Sequence, residues 1–543
     1  MVKSFLGLLH TRQTTILSGA TILMVAVFLS RFLGLIRDRL LVHNFSTSEA
    51  SIFFAAFGFP DKLFQILILG TLSVAFIPVF TEYLNKEGEK QAFAFSSNIL
   101  NLALLVFGFF CLLGIIFVGP INNVMIPGFE GQQKILTDQL TRLILVAQFI
   151  LVIGTFFIGI GQSYQRFLIP ALAPLFYNLG IIFGIAVLSP YTGILGPAIG
   201  VIIGAVLHVA IQIPLIRALG YTYQFSLDFL NKGVREIFQL MSVRSIGLAA
   251  EQMSDAIGLA LASIVSTSAI AQLTLAQHLS AVPVGLFGAT IAQAALPVLA
   301  REHAKGEVGG FKITLLTTMH QILFLTLPAT AMLVVLRIPI VRLVFGASEF
   351  NWEDTVLTGR TVAFLALGLV AYSLTLLLVR GFYAIKDTKT PVIVSLITVL
   401  VNIGLSFWFV RGLQLQVWSL GLAYSVSTIV SMVLLLIFLD RRMGKFDRRA
   451  LIMPALKMFL AAVAAALALY IPIKLLDQLV FDTTKTVNLF ILTSIASAFG
   501  LSIYLLLVWM MEVKELNTYV ELIKKAGKMK FKNEEIMNET GSS

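Results

Sequence analysis

Apolar stretches of about twenty residues, the length that one helix needs to cross a bilayer, recur along nearly the whole of this chain, separated by short polar or Gly/Pro-marked turns. That pattern excludes a water-soluble fold. Hydrophobic residues make up 58% of the 543 positions and charged ones 12%, about half the charged share of a soluble domain. No globular core could hide so much apolar surface, so the bilayer must act as the solvent.

The spacing predicts an all-α polytopic membrane protein of about fourteen helices, near 15–41, 51–82, 92–118, 134–164, 168–189, 193–218, 234–265, 269–300, 312–345, 355–384, 391–411, 416–439, 451–475 and 486–511. The first segment is long for a signal peptide, lacks a small-residue cleavage site and carries Arg31, Arg37, Asp38 and Arg39, so it is read as a mature helix. Lys and Arg fix the orientation, because positively charged loops stay cytoplasmic. Alternate loops and the two ends hold 25 of them, against only Lys134, Arg411, Lys474 and Lys485 on the other side. Both termini are therefore expected in the cytoplasm. The net charge of +11 follows from this topology and from attraction to anionic headgroups, with no need to invoke nucleic acid. Cys111 is the single cysteine, which excludes an intramolecular disulfide.

Weak self-similarity at a spacing of roughly 213 to 225 residues divides the chain. Arg31, Gly34, Leu35 and Asp38 of helix one match Arg244, Gly247, Leu248 and Glu251 of helix seven. Pro78-Val79 in helix two matches Pro297-Val298 in helix eight, and Asn178-Leu-Gly180 in helix five matches Asn402-Ile-Gly404 in helix eleven. Six helices per copy is an even number, so the copies share one orientation, the parallel type of repeat. This predicts an N-lobe over 1–220, a C-lobe over 221–445, two appended helices over 446–514 and a basic cytoplasmic tail over 515–543. Two similar lobes rocking about a central site are a recurrent solution for alternating access.

An ionised side chain at the centre of a membrane helix costs about 2.5 to 3.5 kcal/mol, so such residues normally face the bundle interior. Arg31 and Asp38 share one face of helix one, with Arg37 nearby; Arg244, Glu251 and Asp255 form a stripe on helix seven. Guanidinium stays protonated and makes forked contacts to oxyanions, which favours an anionic cargo. For Arg31, Arg37 and Arg244 the alternative is a structural ion pair with the neighbouring acids. Lys62, next to Asp61 and just after Pro60, is a further substrate-binding candidate, with a backbone carbonyl that the proline frees as its alternative partner. His278 in helix eight is a protonatable or headgroup-contacting candidate, with a neutral hydrogen-bonded histidine as the alternative. No Walker A sequence, HExxH element or G-x-S-x-G element is present, so neither ATP hydrolysis nor covalent chemistry has a visible home. The reading is a transporter, with no cofactor.

Longer stretches carry a family resemblance: Ser30-Arg-Phe-Leu-Gly-Leu-Ile-Arg-Asp38, Ala55-Ala-Phe-Gly-Phe-Pro60, Gly70-Thr-Leu-Ser-Val-Ala-Phe-Ile-Pro78, Ala173-Pro-Leu-Phe-Tyr-Asn178, Val282-Pro-Val-Gly-Leu-Phe-Gly288 and Arg380-Gly-Phe-Tyr-Ala-Ile-Lys-Asp-Thr-Lys-Thr-Pro391. In these the chain resembles the MurJ/MviN family, the lipid II flippases of the MOP exporter superfamily. The resemblance implies export of an undecaprenyl-pyrophosphate-linked peptidoglycan precursor across the bacterial inner membrane. It also implies basic cavity residues that contact the pyrophosphate, a lipid-tail groove formed by the last two helices, and the cell-wall synthesis machinery and membrane lipids as partners. Arg31 and Arg37 match the family's helix-one arginines. A family acid falls on Ser51, paired arginines fall on Phe64 and Gln65, and a helix-eight arginine falls on His278. A monovalent-cation site known in some members has Asp255, Asn402 and Ser406 as its nearest counterparts here, and the driving force is expected to be such a cation or the membrane potential. A related exporter of another lipid-linked oligosaccharide or of an organic cation is the competing reading.

Overall fold

The computed structural model describes residues 16–69, 75–346, 348–479 and 485–521, with only the backbone for 16–24, 240, 242–246 and 476–479. Among the described residues fourteen long helices run in order: α1 (Ile16–Asn44), α2 (Thr47–Leu69), α3 (Glu89–Ile116), α4 (Gly131–Ser163), α5 (Leu168–Thr192), α6 (Leu195–Ala218), α7 (Lys232–Val265), α8 (Ala269–Ala304), α9 (Val308–Val335), α10 (Trp352–Ala384), α11 (Lys389–Gly412), α12 (Trp418–Met443), α13 (Arg448–Leu479) and α14 (Thr486–Met510). Thirteen spans, in α2 to α14, are long and apolar enough to cross a membrane. With α1 in place, the all-α, fourteen-helix reading holds.

The differences from the expected boundaries have local causes. The second segment is interrupted at Phe57 and resumes as Gly58–Phe64, because Pro60 has no N–H to donate and its ring crowds the preceding turn. A further helix, Ile77–Lys86, completes that segment. The ninth segment stops at Leu336, with φ −89° and ψ 15°, and continues as the separate helix Arg337–Phe345; Pro339 sits in the first turn of the second piece, where the missing N–H does no harm.

Four of these long helices contain a π-helical turn, at Gln65–Leu69 in α2, Gly184–Leu188 in α5, Val284–Ala289 in α8 and Trp408–Gly412 in α11. Such turns are rare and are found mostly where a helix has a functional irregularity. The pairs α2/α8 and α5/α11 are the pairs that the internal repeat matches, so the repeat extends from sequence to backbone irregularity.

By packing, the chain divides into two units: unit 1 comprises Met1–Leu279, Val344–Thr361 and Ser395–Ser427, and unit 2 comprises Ser280–Leu343, Val362–Val394 and Thr428–Ser543. In unit 1, α5 lies against α6 and α1, and α6 against α4. The α5/α6 contact is backbone to backbone: a Cβ on Gly184 would come within 2.6 Å of the Gly200 Cα, and one on Gly180 would press on Gly204. Small residues allow this approach, and in a bilayer dispersion at close range is what holds helices together. In unit 2, α9, α13 and α14 pack around Phe311, Ile322, Leu439, Met458 and Ala461. The buried Tyr504 of α14 donates its hydroxyl proton to the Phe324 carbonyl of α9 at 3.0 Å, which satisfies the one polar atom of that ring. The segment after α14 folds back on the same helix: Tyr519 stacks on Phe324 and Glu515 faces His320 at 3.5 Å. Of the basic tail expected over 515–543, residues 522–543 lie outside the described residues.

Candidate functional site

The charged residues of α1 and α2 meet within unit 1. Asp38 is 1% exposed, and both of its oxygens are engaged. Arg37 donates from Nε and Nη2 to Oδ1, at 3.0 and 2.8 Å, and His278 of α8 meets Oδ2 through Nδ1 at 2.7 Å. Against an ionised carboxylate the proton belongs on that nitrogen. Arg37 also donates from Nη1 to Asn178 of α5 at 3.3 Å, and the Asn178 amide reaches the Pro174 carbonyl at 3.1 Å. Pro174 sits inside α5, and the Asn178 side chain, one turn on, adds a second donor to its carbonyl.

A second group adjoins this one. Asp61 accepts from Gln148 of α4 at 2.6 Å and lies within electrostatic reach of Arg37 and Lys62. Lys62 interacts most strongly with Asp255 of α7, and Gln65 accepts from Gln252 of α7 at 2.9 Å. Arg37, Lys62 and Asp255 keep accessible surface although protein surrounds them on most sides, the condition of groups lining a recess. Five helices of unit 1, α1, α2, α4, α5 and α7, thus present two cations and three carboxylates to one region. The net pairing leaves Arg37 held by hydrogen bonds that an incoming oxyanion is chemically able to replace.

Not every expected residue joins it. Arg31 is exposed on α1, and Arg37 pairs with Asp38. Glu251 is likewise exposed. The Arg244 side chain lies outside the described residues. Lys62 lies within electrostatic reach of Asp255 as well as of Asp61. Of the cation-site counterparts, Asn402 accepts from Ser254, the neighbour of Asp255 on α7, at 3.1 Å and donates to Ser427 at 3.2 Å, and Ser406 is buried one turn further along α11. Among the described residues no three His, Cys, Asp or Glu side chains form a metal-binding group.

The positions that depart from the family have local structural roles. Ser51 accepts the Ala271 N–H in the first turn of α8 at 2.9 Å, a cap lent by another helix. Phe64 is buried edge-on against Phe107.

Sequence reasoning missed a buried cluster at the far end of α2. Asp354, 6% exposed in the first turn of α10, accepts the Thr47 hydroxyl at 2.7 Å and the Gln272 amide at 2.8 Å. Gln133 of α4 donates to Ser48 beside it at 2.6 Å. The N-termini of α2, α8 and α10 therefore converge on one carboxylate, whose charge suits the positive ends of helix dipoles. An acid just ahead of an apolar run reads as loop, and no pattern within one segment reports a tie across 307 positions.

A fourteen-helix frame with a charged recess between its spans defines a polytopic membrane transporter. The family model for "Lipid II flippase MurJ" matches residues 44–491. A probable lipid II flippase MurJ of Buchnera aphidicola subsp. Baizongia pistaciae is 26% identical over 77% of this chain and 82% of its own length; one from Thermotoga maritima is 28% identical over 78% and 85%. A solved lipid II flippase MurJ in an inward closed conformation superimposes with a TM-score of 0.74 at 25% identity, covering 89% of this chain and 98% of that one. A multidrug resistance MATE family transporter of the MOP superfamily shares the fold, with a TM-score of 0.65 at 14% identity over 76% of this chain and 94% of that one. The chain belongs to the lipid II flippase MurJ family.

Proposed function

We propose that this chain moves the lipid-linked peptidoglycan precursor from the cytoplasmic to the outer leaflet of the bacterial inner membrane by alternating access, as a transporter and not an enzyme. The observation that carries this reading is Arg37, a guanidinium at membrane depth inside a protein-lined recess, in a chain whose family match spans 44–491. A pyrophosphate entering the recess offers Arg37 charged oxygens in exchange for Asp38 Oδ1. Asp38 stays bound to His278 through Oδ2, so its charge is not stranded when Arg37 turns away. Lys62 supplies a second cation one helix over. The tie of Asp354 to Thr47 and Gln272 holds the far end of unit 1 shut while cargo enters, and has to release for discharge.

Placing that far end outside follows from the Lys and Arg bias, which also puts both termini in the cytoplasm. The two six-helix lobes, the lipid-tail groove of α13 and α14, the use of a monovalent cation or the membrane potential, and contact with the wall-synthesis machinery belong to the same proposal. The test is restoration of growth in cells depleted of their lipid II flippase, combined with a leaflet-accessibility assay of labelled precursor. Growth restored by the wild-type chain and lost with Arg37→Ala at equal abundance supports the reading. A wild-type chain that inserts normally but neither restores growth nor exposes precursor refutes it.

A further inference from the structure

The connector between α6 and α7 is an extended strap laid along α3. Its backbone is fastened at every second residue: the Gln224 N–H donates to Ser97 Oγ at 3.2 Å, the Ser226 carbonyl accepts from Asn101 at 3.0 Å, and Asp228 exchanges both backbone groups with the Asn98 amide, at 2.7 and 2.9 Å. The Asn98 side chain thus imitates a neighbouring β-strand. Tyr221 and Tyr223 add hydroxyl contacts to Ser97 and Asn101 at 2.9 and 2.8 Å, whereas the apolar side chains beyond them find no place on α3. Phe225 is 74% exposed, Phe229 56% and Leu230 91%. Large apolar side chains rarely stand so free at an aqueous surface in a row.

Depth decides what they meet. Asn98 lies about 13 Å along the α3 axis from the charged start at Glu89 and Lys90; α3 carries no charge beyond Lys90, and after the polar patch Ser96 to Asn101 that holds the strap it is wholly apolar from Leu102 to Ile116 apart from Gly and Cys111. The strap therefore runs near the level where headgroups give way to acyl chains, the depth at which aromatic side chains and the apolar faces of interfacial segments settle. Exposed Arg217, Lys232 and Arg235 flank it on both sides, and the one acid within it, Asp228, engages Oδ1 with the Leu230 N–H at 2.9 Å. Cations at each end of an apolar strip complement an anionic lipid surface.

We propose that the strap over 221–231 is a membrane-docking element, with Phe225, Phe229 and Leu230 inserted into the inner leaflet and Arg217, Lys232 and Arg235 on anionic headgroups. It moors the connector between the two six-helix sets to both α3 and the lipid. Its assignment to the inner leaflet rests on the orientation proposed above, whereas its insertion does not.

The test uses the full chain, with Cys111→Ala as background, in nanodiscs of phosphatidylcholine with or without phosphatidylglycerol. Single spin labels replace residues 223 to 230 in turn, and accessibility to oxygen and to a water-soluble nickel chelate is read. Oxygen-dominated relaxation at 225, 229 and 230, and roughly a twofold or greater gain in the oxygen-to-nickel ratio with the anionic lipid, are expected. Nickel-dominated relaxation at these positions overturns the proposal, and so does spin–spin broadening from a second copy. As nanodiscs expose both leaflets, the depth is read whichever way the chain is oriented. No cargo is present, so failed export and a failed mooring are separate results. Asn98→Ala, which removes both ties to Asp228 without touching the apolar residues, is expected to leave the labels at 225 and 229 in oxygen-dominated surroundings while raising their mobility.

Discussion

His278 Nδ1 and Asp38 Oδ2 stand 2.7 Å apart, joining α8 to α1 in the middle of the bundle. Arg37 alone would leave one oxygen of a 1%-exposed carboxylate without a partner, and a buried acceptor left unmade is costly. His278→Ala is expected to lower export about tenfold or more, the equivalent of roughly 1.4 kcal/mol. His278→Arg, which keeps a donor at that place, is expected to retain most of it. Precursor accessibility in the outer leaflet checks both; equal loss in the two variants contradicts the donor role.

Arg37→Ala and Arg31→Ala are expected to behave differently. Arg37 reaches Asp38 and Asn178, whereas Arg31 lies exposed. Export by Arg37→Ala should fall below detection at normal abundance, and by Arg31→Ala to a lesser extent. Complementation titrated against expression level separates the two.

Removing Asp354 should open the far end of unit 1. In Asp354→Ala, Thr47 and Gln272 lose their shared acceptor, and the closed population should fall roughly fivefold, the shift that about 1 kcal/mol produces. Asp354→Asn keeps one acceptor oxygen and should fall between. A cysteine placed by Ala50→Cys, at a position fully buried one turn into α2, reports the opening through labelling by a membrane-impermeant reagent. Equal labelling with Asp354 intact and with Asp354→Ala refutes the tie.

At the α5/α6 crossing, Gly184→Val is expected to destabilise the protein by about 1 to 3 kcal/mol, because its new side chain meets the Gly200 backbone, which has no rotamer to yield. Thermal unfolding in detergent checks it, with Gly258→Ala as control: nothing lies within 4 Å of a Cβ there.

Acid should loosen the turn before α11. Burial acts to raise the Asp387 carboxyl, but hydrogen bonds from Thr390 and from the Lys389 N–H, and the charge of Arg442, outweigh it and hold the group below the ordinary carboxylate range. A depressed value means the ionised form is bound more tightly in the folded chain, so this stabilisation is present above the unfolded carboxyl's value and is lost as pH falls through the lower, folded one. Proteolysis within 385–390 should therefore accelerate in wild type only once pH falls below the ordinary carboxylate range, and already at neutral pH in Asp387→Asn.

The helices were legible because each needs a run of apolar residues that nothing else in the chain resembles, and α1 to α14 lie where those runs lie. Asp38 and Arg37 were legible as well, since ionised groups within such runs stand out. Their partners were not. His278 stood out as a protonatable group in helix eight, but nothing tied it to Asp38, and Asn178 and Gln148 acquire a role in the charge cluster only when α5 and α4 are brought to α1 and α2. Asp354 failed for the opposite reason: an acid at a helix start is common, and its burial comes from two other helices. Asp255 was grouped with Asn402 by family position, and α7 meets α11 there through the Ser254–Asn402 hydrogen bond.

The π-helical turns imply something about descent. Each takes up one extra residue in a widened turn, whereas an extra residue in a regular α-helix would rotate everything beyond it by about 100°. Such an insertion survives only if the surrounding packing accepts it. To find it in α2 and again in α8, in α5 and again in α11, is most simply explained if an ancestral six-helix chain already carried both before its gene doubled.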